Sequence, residues 1–196
     1  MTYMARTERR AAILDAAIAV MLRDGLAAMT TRAVAAELGA SNGIIHHHFS
    51  SAGDLRRDAF ARYLETELAE FDRRLPDLEP MAALRLMLED FAPNAPDQRM
   101  RLWAEAWGEA QRDQGFAGVY AAAFRDWHER LVRIIAAGVA AGACRKPQDE
   151  AVTAWRILAL ALGLSTMGSL SAELIDLAAG RRALNDAIEL ELAPSA

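Results

Sequence analysis

Apolar residues recur along almost the whole chain at spacings of three and four, the period of one helix face. Nowhere do they alternate long enough to build a convincing strand. With the breakers included, the pattern predicts an all-α protein of about nine helices. The first runs from Arg6 to Asp24 and stops at Gly25, with Ile13, Ala16, Ala17 and Val20 on one face. Two short helices follow within residues 30–49. A fourth spans Ala52 to Leu75, carries a stripe of Leu55, Phe60, Tyr63, Leu64, Leu68 and Phe71, and is halted by Pro76 and Pro80. The fifth covers Met81 to Phe91, ahead of the breaker PNAP, and the sixth Asp97 to Asp113. Gly115 separates it from a seventh, Phe116 to Ala141. Beyond the turn GACRKPQD, the last two helices are predicted at Glu150 to Leu170 and Ala172 to Glu191.

The segment TTRAVAAELGASNGIIHHHF, residues 30–49, says most about function. Thr30 or Thr31 can cap a helix whose Val34, Ala35 and Leu38 share a face, because a hydroxyl accepts from an otherwise orphaned backbone N–H. Gly39 ends it where a left-handed residue is needed. Ser41 is placed to cap a second short helix, Asn42 to His48, that buries Ile45 and Phe49. Two helices joined by a three- or four-residue turn containing Gly form a helix-turn-helix, whose second helix enters the DNA major groove.

The net charge of −5 looks wrong for a DNA binder until it is divided along the chain. Residues 1–62 hold eight Arg against six acids, a net +2, and three of the four His; the remainder carries −7. A mildly basic head on an acidic body fits one end that meets nucleic acid and one that does not. Hydrophobic residues make up 53% of the chain, enough for a substantial core. The single cysteine, Cys144, excludes an internal disulfide framework, suits a reducing cytoplasm and reads as a small buried residue. Arg6, Arg9 and Arg10 ahead of AAILDAAIAVML resemble the start of a signal peptide, but Asp15 interrupts the apolar run and no small-residue cleavage site follows.

Helix eight, AVTAWRILALALGLSTMGSL, has Arg156 as its only charge. Its charge-free run Ile157 to Ala172 has 16 residues, short of the ~20 that span a bilayer, so no membrane segment is expected. A helix apolar all round must be covered on every side, either as the central core helix of a monomer or, as dimeric binding of palindromes by helix-turn-helix proteins favours, by a two-fold partner. Trp155, Leu160, Gly163 and Met167 on this helix, with Leu184 and Ile188 on the ninth, are the expected dimer interface.

Together these features resemble the TetR family of bacterial transcriptional regulators. The likeness covers residues 6–62 most specifically, through Thr31, Arg32, Ala35, Leu38-Gly39-Ala40-Ser41, Gly43-Ile44-Ile45 and Phe49. His46 stands where the family usually has Tyr, and Ala52-Gly53 where it usually has Lys and often Glu, which removes one phosphate contact. GIIHHHF is similar to the signature of choline-responsive betaine-biosynthesis repressors, and residues 101–145 continue that likeness less specifically. The resemblance implies a helix-turn-helix DNA-binding domain at 1–51 and an effector-binding and dimerisation domain at 52–196. It implies a bacterial cytoplasmic repressor, on the nucleoid when bound, that leaves a palindromic operator when a small molecule shifts the fourth helix.

In the head, Thr31, Arg32, Ser41, Asn42, Gly43, His46 and His47 are the expected DNA-binding residues. Gly43 permits close backbone approach, the imidazoles and Asn42 reach phosphates or base edges, and Arg32 meets a phosphate. Arg6, Arg9 and Arg10 offer further backbone contacts. Three consecutive His do not converge on one metal ion, because neighbouring helical side chains diverge by about 100°. In the body, Met87, Phe91, Trp103, Trp107, Tyr120, Phe124 and Trp127 are candidates to line a pocket for an apolar or cationic effector; core packing is the plainer role for each. Glu105 and Glu109 either neutralise such a cation or lie solvated. No phosphate loop, GxSxG elbow or Cys/His pair points to an enzyme, and no cofactor is expected. The rival class is a helical protein-interaction or scaffold module without DNA binding, against which the Arg-bearing head and ASNGII turn argue.

Overall fold

The computed structural model describes residues 6–75, 78–89, 98–171 and 173–193. Among them are nine helices and no strand: α1 (Arg6–Asp24), α2 (Thr31–Glu37), α3 (Asn42–His48), α4 (Ala52–Arg74), α5 (Pro80–Glu89), α6 (Gln98–Ala110), α7 (Gln114–Ala140), α8 (Glu150–Leu170) and α9 (Leu177–Leu192). They form two compact units, Met1–Glu67 with Arg101–Ala122, and Leu68–Met100 with Ala123–Ala196. In the first unit, α6 from Arg101 onward and the start of α7 pack with the head.

In the first unit, α1 turns Ile13, Ala17, Val20 and Met21 inward. Asp15 points out to an ion pair with Arg62 at 2.8 Å. Thr30 caps α2, its hydroxyl accepting from the Ala33 N–H at 3.1 Å. Gly39, at φ +64°, closes α2 with N–H bonds from Gly39 to the Ala36 carbonyl and from Ala40 to the Ala35 carbonyl. This is the paired C-terminal motif that satisfies orphan carbonyls. Ser41 occupies the N-cap position of α3, but its side chain makes no capping bond. Val34, Ala35, Ile45, Phe49 and Leu55 are buried, as is Met29, and α2 packs on both α1 and α3. Phe60, fully buried on α4, stacks on Phe116 at 5.1 Å and meets Trp103 edge-on at 5.9 Å. The Asp113 carboxylate accepts from the Phe116 N–H at 2.8 Å, so Asp113 starts α7 and Gly115 lies inside its first turn.

In the second unit, Phe71 of α4 meets Trp127 of α7 edge-on at 5.3 Å, and Asp72 pairs with Arg130 at 2.6 Å. Cys144 is buried with its Sγ 3.1 Å from Met81 Sδ, a packed apolar position, and burial pushes its thiol pKa up. Asp149 caps α8 and Asp176 caps α9, so α9 begins at Leu177 rather than Ala172. One face of α8 is covered within the chain, through Thr153, Ala154, Ile157, Leu158, Ala161, Leu164 and Ser165. The other exposes Val152, Trp155, Met167 and Leu170. Residues Glu150–Gly168 are long and apolar enough to cross a membrane by length and composition. The shorter count from Ile157 stopped at Arg156, whose guanidinium pairs with Glu191 at 2.7 Å. Leu184 and Ile188, expected at a dimer interface, are 5% and 2% exposed and lie within the chain's own core.

Candidate functional site

Ser41, Asn42, Gly43, His46 and His47 all lie exposed along α3 and its start, and Arg32 is exposed on α2 beside the half-buried Thr31. Ile45 and Phe49 face inward, so burial of one side of α3 dictates which side is offered. Among the described residues no ion pair engages Arg6, Arg9 or Arg32, which leaves those charges available to phosphates. Arg10 has a different job. It pairs with Asp58 of α4, donates to the His48 carbonyl at 3.0 Å and lies 4.3 Å over the Phe49 ring. That guanidinium braces the C-terminal end of α3, where a cation also suits the helix dipole. Its partners sit 38 and 48 positions along the chain, so only the packed head reveals them.

The three histidines are not equivalent. His46 and His47 are exposed, whereas His48 is half-buried and meets the His47 ring edge-on at 5.3 Å. Burial, then His47 and the guanidinium groups of Arg6, Arg10 and Arg9, hold the His48 pKa below the ordinary imidazole value. Among the described residues no group of three His, Cys, Asp or Glu side chains is arranged to hold a metal ion.

The aromatic candidates divide between the units. Trp103, Trp107 and Tyr120 belong to the first, with Tyr120 centred 5.5 Å from the Trp103 ring and 5.9 Å from that of Trp107. Trp103 is 7% exposed and Trp107 56%, so α6 presents one buried and one open indole around the same phenol. Burial pushes the Tyr120 pKa up to about 12, which keeps the phenol neutral. Met87, Phe124 and Trp127 belong to the second unit, where Met87 is fully enclosed and Trp127 packs on Phe71. Phe91 lies outside the described residues.

Glu105 and Glu109 are both engaged by groups of the first unit. Glu105 accepts from the Leu26 N–H at 2.6 Å and from Arg101 at 3.1 Å. Glu109, only 16% exposed, pairs with Arg56 at 2.9 Å. The i, i+4 spacing of these carboxylates was visible in the sequence, but partners 79 and 53 residues away were not.

Comparison with known proteins identifies the family. Residues 13–59 match the model of the bacterial regulatory proteins of the tetR family. Residues 80–193 match that of the BetI-type transcriptional repressor C-terminal domain. The chain is 28% identical to the HTH-type transcriptional regulator BetI of Paraburkholderia xenovorans, over 96% of this chain and 95% of that protein. A crystal structure of a transcriptional regulator from Saccharomonospora viridis in complex with choline superposes with a TM-score of 0.81 at 26% identity, covering 97% of this chain and all of that one. The multidrug binding protein EbrR complexed with proflavin superposes at 0.67 with 25% identity, over 92% and 99% of the two chains. The protein is a DNA-binding transcriptional regulator rather than an enzyme, and belongs to the TetR family with a BetI-type repressor C-terminal domain.

Proposed function

We infer that this protein is a homodimeric repressor that holds a palindromic operator and releases it when a small quaternary ammonium compound, choline being the first to test, binds at Trp103, Trp107 and Tyr120. The observation that carries the reading is the open Trp107 indole set beside the neutral Tyr120 phenol and the Trp103 ring. Aromatic faces attract a cation that has little hydration to lose, by about 0.5–2 kcal/mol per ring. The acidic balance of residues 63–196 adds a field that favours cations over anions. The choline bound by the Saccharomonospora relative supports the ligand class. Glu105 and Glu109 are held by the Leu26 amide and by Arg56, so the reading rests on the aromatic faces rather than on these carboxylates.

Assembly rests on the uncovered side of α8. Val152, Trp155, Met167 and Leu170 recur at spacings that keep them on one stripe, and a Cβ at Gly163 would meet nothing within 4 Å. Leu160 is half-buried beside this stripe, and Leu177 on α9 is also exposed. A second copy covering such a stripe explains why a helix with the composition of a membrane span belongs to a DNA-binding protein. Two α3 helices about 34–36 Å apart then read successive major grooves in the cytoplasm, on the nucleoid. Effector binding that changes their separation by way of α4 requires about 1–3 kcal/mol of coupling.

The test is a thermal-shift and gel-shift pair, with choline as ligand and the region upstream of the protein's own coding sequence as DNA. Choline is expected to raise the melting temperature and to release the DNA. A response to anions and none to choline overturns the effector assignment, and a monomer in light scattering at micromolar concentration overturns the two-fold arrangement.

A further inference from the structure

The turn between α1 and α2 is finished by a side chain from far along the chain. After Gly25, whose N–H donates to the Met21 carbonyl at 2.9 Å, the next amide belongs to Leu26, a residue 2% exposed. In the usual glycine-terminated helix that amide donates back to a carbonyl of the last turn. Here it donates to Glu105 Oε2 at 2.6 Å, and the second carboxylate oxygen is held by Arg101 at 3.1 Å. The seat depends on glycine twice over. Gly25 has φ +93°, and a Cβ added there would lie 2.8 and 3.0 Å from the two Glu105 oxygens. One turn further along α6, Glu109 pairs with Arg56 of α4 at 2.9 Å.

We propose that Glu105 is a positioning residue for DNA recognition: by accepting the Leu26 N–H it fixes the turn that launches α2, and through α2 the pose of α3. The proposal rests on the DNA-binding reading and adds that the reading head is incomplete without α6. Leu26 and Met29 are buried on either side of that turn, and Thr30 begins α2 directly after it. A shift at Leu26 therefore moves the cap of α2, and α2 packs on α3, with Val34, Ala35 and Ile45 buried. On the same α6, Trp103 and Trp107 lie two residues either side of Glu105, about 200° round the helix. One rigid helix thus carries the effector-facing rings on one side and the turn-holding carboxylate on the other.

The sign of the effect separates positioning from simple charge. Electrostatics alone predicts that removing an acidic group from a DNA-binding unit strengthens binding. Positioning predicts the opposite for Glu105→Ala, and no loss for Glu105→Gln, whose amide oxygen still accepts from Leu26. The probe is a duplex selected by the wild-type protein from a random pool, compared with a mixed-sequence duplex at a temperature where circular dichroism shows every variant folded. Glu105→Ala is expected to bind the selected duplex about tenfold more weakly while its affinity for the mixed-sequence duplex stays within about twofold. Glu105→Gln stays within about threefold of wild type on both. Gly25→Ala, which pushes the carboxylate off its seat, reproduces the Glu105→Ala loss, and the double variant is no weaker than Gly25→Ala alone. Unchanged or tighter binding of the selected duplex by Glu105→Ala overturns the proposal and leaves the DNA-binding reading intact. Failure of the wild type to select any duplex overturns both. Should Glu105→Ala not fold, the other two variants decide, because the proposal requires Gly25→Ala to fall and Glu105→Gln to hold.

Discussion

Replacing Trp107 by alanine tests the effector site at little cost to the fold, because Trp107 is the open one of the two indoles of α6. A tryptophan buries roughly 200 Å² when fully enclosed. Trp107 is 56% exposed, so it buries less than half of that. At about 25 cal/mol per Å², the truncation costs at most about 2 kcal/mol. That is well inside the roughly 5–15 kcal/mol that holds a domain together, and lowers the melting temperature by about 4–8 °C. Trp103 is 7% exposed and wedged between Phe60 and Tyr120, so the same change there costs about 3–5 kcal/mol. Loss of one ring from a cation site costs about 0.5–2 kcal/mol of ligand affinity. A ligand at ~100 times its dissociation constant stabilises by about 2.7 kcal/mol, and a tenfold weaker site halves that to about 1.4 kcal/mol. The assay is a pair of melting curves for wild type and Trp107→Ala at one fixed choline concentration, with DNA release followed by anisotropy. Trp107→Ala should fold, bind DNA within about tenfold of wild type and lose about half of the choline-induced shift. A folded variant with the full shift places the effector elsewhere, and an unfolded variant makes Trp107 part of the core.

Asn42→Ala or His47→Ala should weaken binding to a selected duplex by about 1–3 kcal/mol and leave dimerisation unchanged; equal affinity for both variants would move the reading face off this side of α3. Met167→Glu, at a position 52% exposed, should give a folded monomer in light scattering, whereas Leu184→Glu, 5% exposed, should destabilise the protomer itself. Burial and neighbouring cations hold the His48 pKa below 6.5, so the native state takes up that proton less readily than the unfolded chain. Its stabilising contribution is therefore complete above pH about 6.5 and is lost as pH falls below that value. Melting of His48→Gln should accordingly depend less on pH between 7.5 and 5.5 than wild type does, and an identical slope would show that His48 is not the titrating group.

Local physics is what the sequence by itself determined. Periodicity set the nine helices, and breakers set most of their ends, as the exact agreement of α1 and α8 with their expected bounds shows. The helix-turn-helix was legible because its signals act over a few residues: a threonine cap at Thr30, a left-handed Gly39 and an apolar Ile45 facing back to the head. Where a side chain reaches to cap a helix, composition was a poorer guide: Asp176 rather than Ala172 fixes the start of α9, and Asp113 rather than Gly115 that of α7. The tertiary structure alone decided which like residues serve which purpose. Arg10, Arg9 and Arg6 read alike in sequence, yet only Arg10 has Asp58 and the His48 carbonyl within reach. Leu184 and Met167 are both apolar residues on apolar helices, and packing encloses the first and leaves the second open. Glu105 and Glu109 looked like surface charges until folding set the Leu26 amide and Arg56 beside them. Partners brought together across 50 to 80 residues leave no periodic trace, because their spacing is set by how helices pack rather than by how one helix turns.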